Sequence, residues 1–171
     1  LDILSIIPIY FMNSVLPVLT RKLKDGVDQA APVLQHSLDF LVALGMPIVV
    51  GAQVLAYPVI FVVSSPEFLS RLSDGFYGSD VAVRILAVSM LFAFVSNVFN
   101  FTLIALGHQG KLLYVSAVGA AVNVALNLWL IPLWGFRGTA VASVGSEVVI
   151  VVCAAVFLRR YLKYGVQLMS M

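Results

Sequence analysis

Five long apolar runs dominate this sequence and restrict what the chain can fold into. The complete runs reach or approach the roughly 20 residues that an α-helix needs to cross the hydrocarbon core of a bilayer. A helix is also the form in which a single segment satisfies all of its own backbone polar groups in lipid. The sequence therefore predicts an all-α membrane protein with about five transmembrane helices, at residues 1–19, 38–63, 81–106, 112–130 and 138–158.

The overall composition supports a membrane protein and excludes several other classes. Hydrophobic residues make up 61% of the 171 residues and charged residues 11%, with a mean hydropathy of +1.05. A soluble domain is about half apolar and about a quarter charged. The net charge of +2 and the lack of a long basic run argue against a nucleic-acid partner. Cys153 is the single cysteine, which excludes a disulfide framework and a cysteine metal site.

Two polar stretches interrupt the apolar runs. In residues 20–37, apolar side chains recur at helical spacing at Leu23, Val27, Ala30 and Leu34, which favours a short helix on the membrane surface. In residues 64–80, Pro66 is placed to begin another short helix. Both stretches are interpreted as connections between membrane spans.

The distribution of basic residues predicts the orientation of the spans, since cytoplasmic loops carry an excess of Lys and Arg. The stretches after spans one, three and five hold seven basic residues, and those after spans two and four hold three at most. The C-terminus is therefore expected in the cytoplasm. Leu1 already lies in an apolar run without an initiating Met, so we expect the chain to be a piece of a longer protein that forms one transmembrane domain.

Asparagine pairs mark two of the predicted spans. Asn97 and Asn100 lie one helical turn apart, as do Asn123 and Asn127. Each pair has two possible roles: hydrogen bonds that join helices, or a polar lining of a cavity. Because the turn at residues 107–111 is very short, spans three and four are expected to be antiparallel neighbours, with Asn100 and Asn123 at similar depth.

Two charged residues lie inside predicted spans. Glu147 should face the bundle interior or water, because a carboxylate in the membrane centre costs roughly 2.5–3.5 kcal/mol. It is interpreted as a structural acid that joins helices or as an acid of ion coupling. Arg84 lies one turn inside its span, where it either extends to the interface or contacts an anionic group of a ligand.

The last two spans form a hairpin rich in small residues. Residues 132–137 make a tight break, and beyond it Gly138, Ala142 and Gly145 line one side of the fifth span. Small side chains at such spacing let another helix approach closely. The chain shows no nucleophile–base pair, phosphate-binding glycine loop or metal-ligand spacing, so neither an enzyme, a cofactor nor a metal is predicted.

Three segments resemble a known family of transporters. The hairpin NVALNLWLIPLWGFRGTAVASVGSE, at residues 123–147, is similar to the penultimate hairpin of Wzx-type O-antigen and exopolysaccharide flippases. FYGSDVAVRILAVSMLF, at residues 76–92, resembles their tyrosine-glycine loop and the following helix, and ALGHQGK, at residues 105–111, resembles their short cytoplasmic turn. These flippases belong to the multidrug/oligosaccharidyl-lipid/polysaccharide exporter superfamily.

The resemblance implies a fold and a function. Family members have two six-helix lobes around a central cavity, so the chain would be most of the C-terminal lobe, with the N-terminal lobe and membrane lipids as partners. The implied function is flipping of a polyprenyl-diphosphate-linked oligosaccharide across the bacterial inner membrane for O-antigen or other cell-surface polysaccharide, including lipopolysaccharide. The alternatives are a cation-coupled drug exporter of the same superfamily and a scaffold for glycosyltransferases that transports nothing. Substrate-binding residues would then be Arg84, Asn97, Asn100, Asn123 and Asn127, with Glu147 as the coupling or structural acid.

Overall fold

The computed structural model describes residues 2–63, 68 and 78–162, and five α-helices account for nearly all of them. Four of these helices, α2 to α5, are long and apolar enough to cross a membrane. The all-α membrane fold is therefore confirmed, whereas a membrane crossing by α1 stays a prediction. The helices are α1 (Asp2–Asp25), α2 (Val27–Val63), α3 (Ser79–Ala105), α4 (Gln109–Trp134) and α5 (Phe136–Leu162).

Glycines with positive φ angles separate consecutive helices. Gly26 lies between α1 and α2 at φ 135°, Gly107 follows α3 at 74°, and Gly135 lies between α4 and α5 at 57°. Side chains with a Cβ rarely adopt this region, so glycine permits the abrupt change of direction. The predicted break across residues 132–137 is therefore narrower than expected. Pro132 stays inside α4, and the chain turns at Gly135.

The prediction of a separate surface helix in residues 20–37 is wrong. These residues complete α1 and form the first turns of α2. The helical spacing was recognised correctly, but Leu23, Val27 and Leu34 pack against a core cluster that contains Leu103 and Leu158. Other helices bury this apolar face, so it packs inside the bundle and not on the membrane surface. The short helix expected at Pro66 lies outside the described residues.

Helix α3 is the centre of the described bundle. It packs against α1, α2 and α5, whereas α4 packs mainly against α5. The largest buried cluster joins α1, α2 and α3 through Met12, Leu41, Met90, Phe94 and Val98. These side chains are at most 5% exposed, which gives α3 a fixed position against its neighbours.

Large apolar side chains also cover the outside of the bundle. Val62 is 81% exposed, and Leu113 and Leu128 are each 73% exposed. Soluble monomeric proteins rarely expose large contiguous patches of apolar side chains. An apolar exterior is instead what a protein needs when its solvent is lipid.

Candidate functional site

Helix α5 lies between α3 and α4, which changes the expected arrangement of the asparagines. Both α3 and α4 contact α5 extensively, but they make few contacts with each other. The expectation that α3 and α4 are direct neighbours is therefore wrong, while the similar depth of Asn100 and Asn123 stays a prediction. A short turn brings only the adjoining ends of two helices together. The small side chains of α5 allow that helix to pack against both α3 and α4.

Three small residues explain how closely α5 approaches α4. A Cβ added at Gly138 would collide with the backbone carbonyl of Leu130, and one added at Gly145 would lie 2.8 Å from Cδ1 of Leu126. Ala142, between them on the same side of α5, is fully buried. The prediction that this face allows close helix packing is confirmed.

A chain of hydrogen bonds crosses from α4 to α5. Asn127 Nδ2 donates to Oδ1 of Asn123 at 3.0 Å and to its carbonyl oxygen at 2.9 Å. Asn123 Nδ2 donates to Ser146 Oγ at 3.0 Å, and Ser146 Oγ donates to the carbonyl oxygen of Ser143 at 3.0 Å. Asn123 and Ser146 each donate and accept in this chain. The helix-joining role predicted for the asparagines is thus present at Asn123.

A second polar contact joins α5 to α3. Ser96 Oγ lies 3.0 Å from the carbonyl oxygen of Ala93 and 3.5 Å from Oε2 of Glu147. Consecutive residues of an α-helix point about 100° apart. Ser146 and Glu147 therefore contact different neighbours, α4 and α3 respectively. Glu147 is half-buried and faces the bundle interior, as its position in the sequence predicted.

Two amide oxygens in this region lack hydrogen-bond partners among the described residues. Oδ1 of Asn100 on α3 and Oδ1 of Asn127 on α4 are both buried without one. A buried polar group without a partner costs roughly 1–3 kcal/mol. Asn97 differs, because its Oδ1 is not among these buried atoms, and its Nδ2 donates to the carbonyl oxygen of Ala93 at 2.8 Å in its own helix. Asn100 and Asn127 therefore each keep a buried amide oxygen that no described protein donor reaches.

Arg84 lies apart from the asparagines, near the start of α3. It is half-buried, and its Nε is buried without a hydrogen-bond partner among the described residues. Its backbone carbonyl accepts from Gln53 Nε2 of α2 at 3.0 Å. The structure thus brings Asn123, Asn127 and Glu147 onto neighbouring surfaces around α5 but leaves Arg84 as a separate cationic group.

Ser96 and Ser146 were missed as site residues by the sequence reasoning. Both are nearly fully buried, at 5% and 6% exposure, and both contact the residues that were singled out. Ser96 directly precedes Asn97, and Ser146 directly precedes Glu147. Hydroxyl side chains inside apolar spans commonly hydrogen-bond across helices, and this was the available signal.

The fold and the site define a multi-pass membrane protein whose polar residues are arranged for hydrogen bonding. In the described residues, no group of three or more His, Cys, Asp or Glu side chains is placed to hold a metal ion. Amides, hydroxyls and one half-buried acid inside apolar helices are typical of transport proteins, in which intramembrane polar groups line substrate or ion pathways.

The sequence model of the lipid II flippase MurJ family matches residues 3–171, and the chain belongs to this family. No curated protein and no solved structure matches the chain significantly. Proteins of this family are transporters that flip a lipid-linked oligosaccharide, and lipid II, after which the family is described, is a precursor of peptidoglycan. The predicted exporter superfamily is thereby confirmed, but the match does not extend to the Wzx-type O-antigen subgroup.

Proposed function

We propose that this chain forms part of a flippase that moves lipid II, a polyprenyl-diphosphate-linked precursor, across the bacterial inner membrane. The observation that carries this proposal is the family match over residues 3–171. The side-chain oxygens of Asn100 and Asn127 support it. No described donor reaches them, and a saccharide offers hydroxyl groups that could donate to them. A cytoplasmic C-terminus, expected from the basic residues, belongs to the same proposal.

The site residues take different roles in this proposal. Asn100 and Asn127 accept hydrogen bonds from the sugar, and Asn123 positions Asn127. Asn97 contributes a weaker contact, because its amide oxygen is not among the buried oxygens that no described donor reaches. Arg84 binds the diphosphate or an acidic group through its guanidinium, whose Nε has no partner among the described residues. Glu147 holds α5 against α3 through Ser96 and serves as the acid available for ion coupling.

A flipping assay tests the proposal and its substrate. The purified protein is reconstituted in liposomes with fluorescent lipid II, with an O-antigen-type carrier lipid that lacks the peptide, and with a cationic drug. We expect movement of lipid II. Movement of the O-antigen-type lipid alone would place the function in cell-surface polysaccharide synthesis, movement of the drug alone would indicate a drug exporter, and no movement of any substrate would favour a scaffold.

Two alanine variants test the amides. Asn100→Ala and Asn127→Ala should slow lipid II flipping while protein levels stay normal, because each removes a buried acceptor that has no partner among the described residues. Asn13→Ala is the matched control, since Asn13 is exposed on α1. Unchanged flipping in both site variants would remove these amides from the substrate path. Loss of flipping only in proportion to loss of protein would indicate a packing role.

A further inference from the structure

An open groove of about 710 Å³ runs between α1 and α2, which carry none of the four asparagines discussed above. Its walls include Phe11, Val15 and Val18 of α1 and Val33, His36 and Phe40 of α2. Phe11 and Phe40 stack at a centroid distance of 4.6 Å. The groove is thus a long apolar surface between two helices, with an aromatic pair at the level of Phe11.

The few polar groups of the groove are satisfied within their own helices. Ser14 Oγ donates to the carbonyl oxygen of Tyr10 at 3.1 Å, and Ser37 Oγ donates to that of Val33 at 2.7 Å. His36 Nδ1 lies 2.6 Å from the carbonyl oxygen of Pro32, and because a carbonyl only accepts, Nδ1 carries the proton. The walls therefore present hydrocarbon to an occupant, with the other ring nitrogen of His36 as the remaining polar group.

Basic residues lie at the end of the groove nearest the α1–α2 turn. Positions 11, 14, 15 and 18 form one stripe of α1, and Arg21 and Lys22 continue it by one turn. With Lys24 they supply three cations, against the carboxylates of Asp25 and Asp28. No cation–carboxylate pair forms among these five in the described structure, so the cations are available to an external anion.

We propose that this groove binds an anionic phospholipid, with an acyl chain between α1 and α2 and the phosphate at Arg21 and Lys22. The wall on α1 extends seven residues along the helix, from Phe11 to Val18, which is a length of about 10 Å. One leaflet contributes about 15 Å to the hydrocarbon thickness of the bilayer. The groove is therefore long enough to cover most of the length of one acyl chain. Basic pockets between membrane helices on the cytoplasmic side are the recurrent sites for anionic headgroups, and the basic residues place this end on that side.

Photo-crosslinking in nanodiscs tests the assignment. The protein is labelled with phosphatidylglycerol or phosphatidylcholine that carries a diazirine on the acyl chain, and the adducts are mapped by mass spectrometry. We expect adducts in residues 11–18 and 32–40, with a preference for phosphatidylglycerol. Arg21→Gln with Lys22→Gln should reduce that preference about 30-fold, the factor expected when two basic residues near an anionic lipid are removed.

Two further variants separate headgroup recognition from the groove itself. Val18→Trp should lower the adduct yield, because Val18 is half exposed on the wall and a larger ring would fill the groove. Val54→Trp, on the exposed face of α2, and Arg159→Gln, an exposed cation at the end of α5, are the controls. Both controls should leave the yield and the lipid preference unchanged.

Three outcomes would overturn the proposal. Equal labelling by the two lipids would show that the headgroup is not recognised. Displacement of phosphatidylglycerol by a polyprenyl phosphate at equimolar concentration would assign the groove to the transported lipid. Adducts absent from both walls would show that protein covers the groove.

Discussion

Gly138→Ala tests how closely α5 packs against α4. The added Cβ would lie 2.6 Å from the carbonyl carbon of Leu130, whereas ordinary van der Waals contact begins at 3.4 Å. The obstacle is backbone, and the carbonyl oxygen of Leu130 is nearer still, so the two helices must move apart by at least about 0.8 Å. A gap of about 0.5–1 Å already forfeits a quarter to a half of a dispersion contact. We expect the free energy of unfolding to fall by about 1–3 kcal/mol, the usual cost of overpacking.

Gly51→Ala is the matched control for this change. Gly51 lies inside α2, and a Cβ added there meets nothing within 4 Å. Alanine is favoured over glycine in a helix by about 1 kcal/mol, so this variant should be as stable as the parent or more stable. Denaturant unfolding in detergent micelles, followed by tryptophan fluorescence, measures both variants. Equal stability of the two would refute the argument that the α4–α5 backbone contact requires glycine.

Three further changes test the topology and the polar contacts. Single cysteines at Gln109 and Phe136, which flank α4, should react with a membrane-impermeant thiol reagent from opposite sides, and labelling of both from one side would exclude a membrane-spanning α4. Asn123→Ala and Ser146→Ala should show a coupling energy of about 0.6 kcal/mol in a double-mutant cycle, and strict additivity would mean that their 3.0 Å hydrogen bond contributes nothing. Ala142→Leu should reduce accumulation of the folded protein, because Ala142 is fully buried, and normal levels with normal melting would show that this face is not packed.

Sequence reasoning worked best where the membrane itself imposes the constraint. Long apolar runs must be helical in lipid, so the helical character of four spans followed from composition and length alone. The spacing of Gly138, Ala142 and Gly145 likewise predicted a closely packed face, because the side of a helix on which residues lie depends only on its period. The family was predicted only in part. The motifs indicated the correct superfamily but pointed to its Wzx-type subgroup, whereas the family match is to MurJ.

The same reasoning failed where the answer depended on which helices touch. Chain connectivity suggested that α3 packs against α4, but α5 lies between them. Helical spacing at Leu23 and Leu34 was correctly seen, yet it could not distinguish the membrane surface from the interior of the bundle. Both errors have the same cause, since periodicity defines a face without defining its partner.

The sequence by itself determined the helices, their apolar exteriors and the positions of the polar residues along them. Only the tertiary structure decided that Asn123 bonds to Ser146, that Glu147 meets Ser96, and that the side-chain oxygen of Asn100 has no partner in the part of the chain that the structure describes. The physical reason is that each of these contacts depends on the rotation of two helices and the distance between their axes. Those quantities are set by side-chain packing over the whole bundle, which no single stretch of sequence contains.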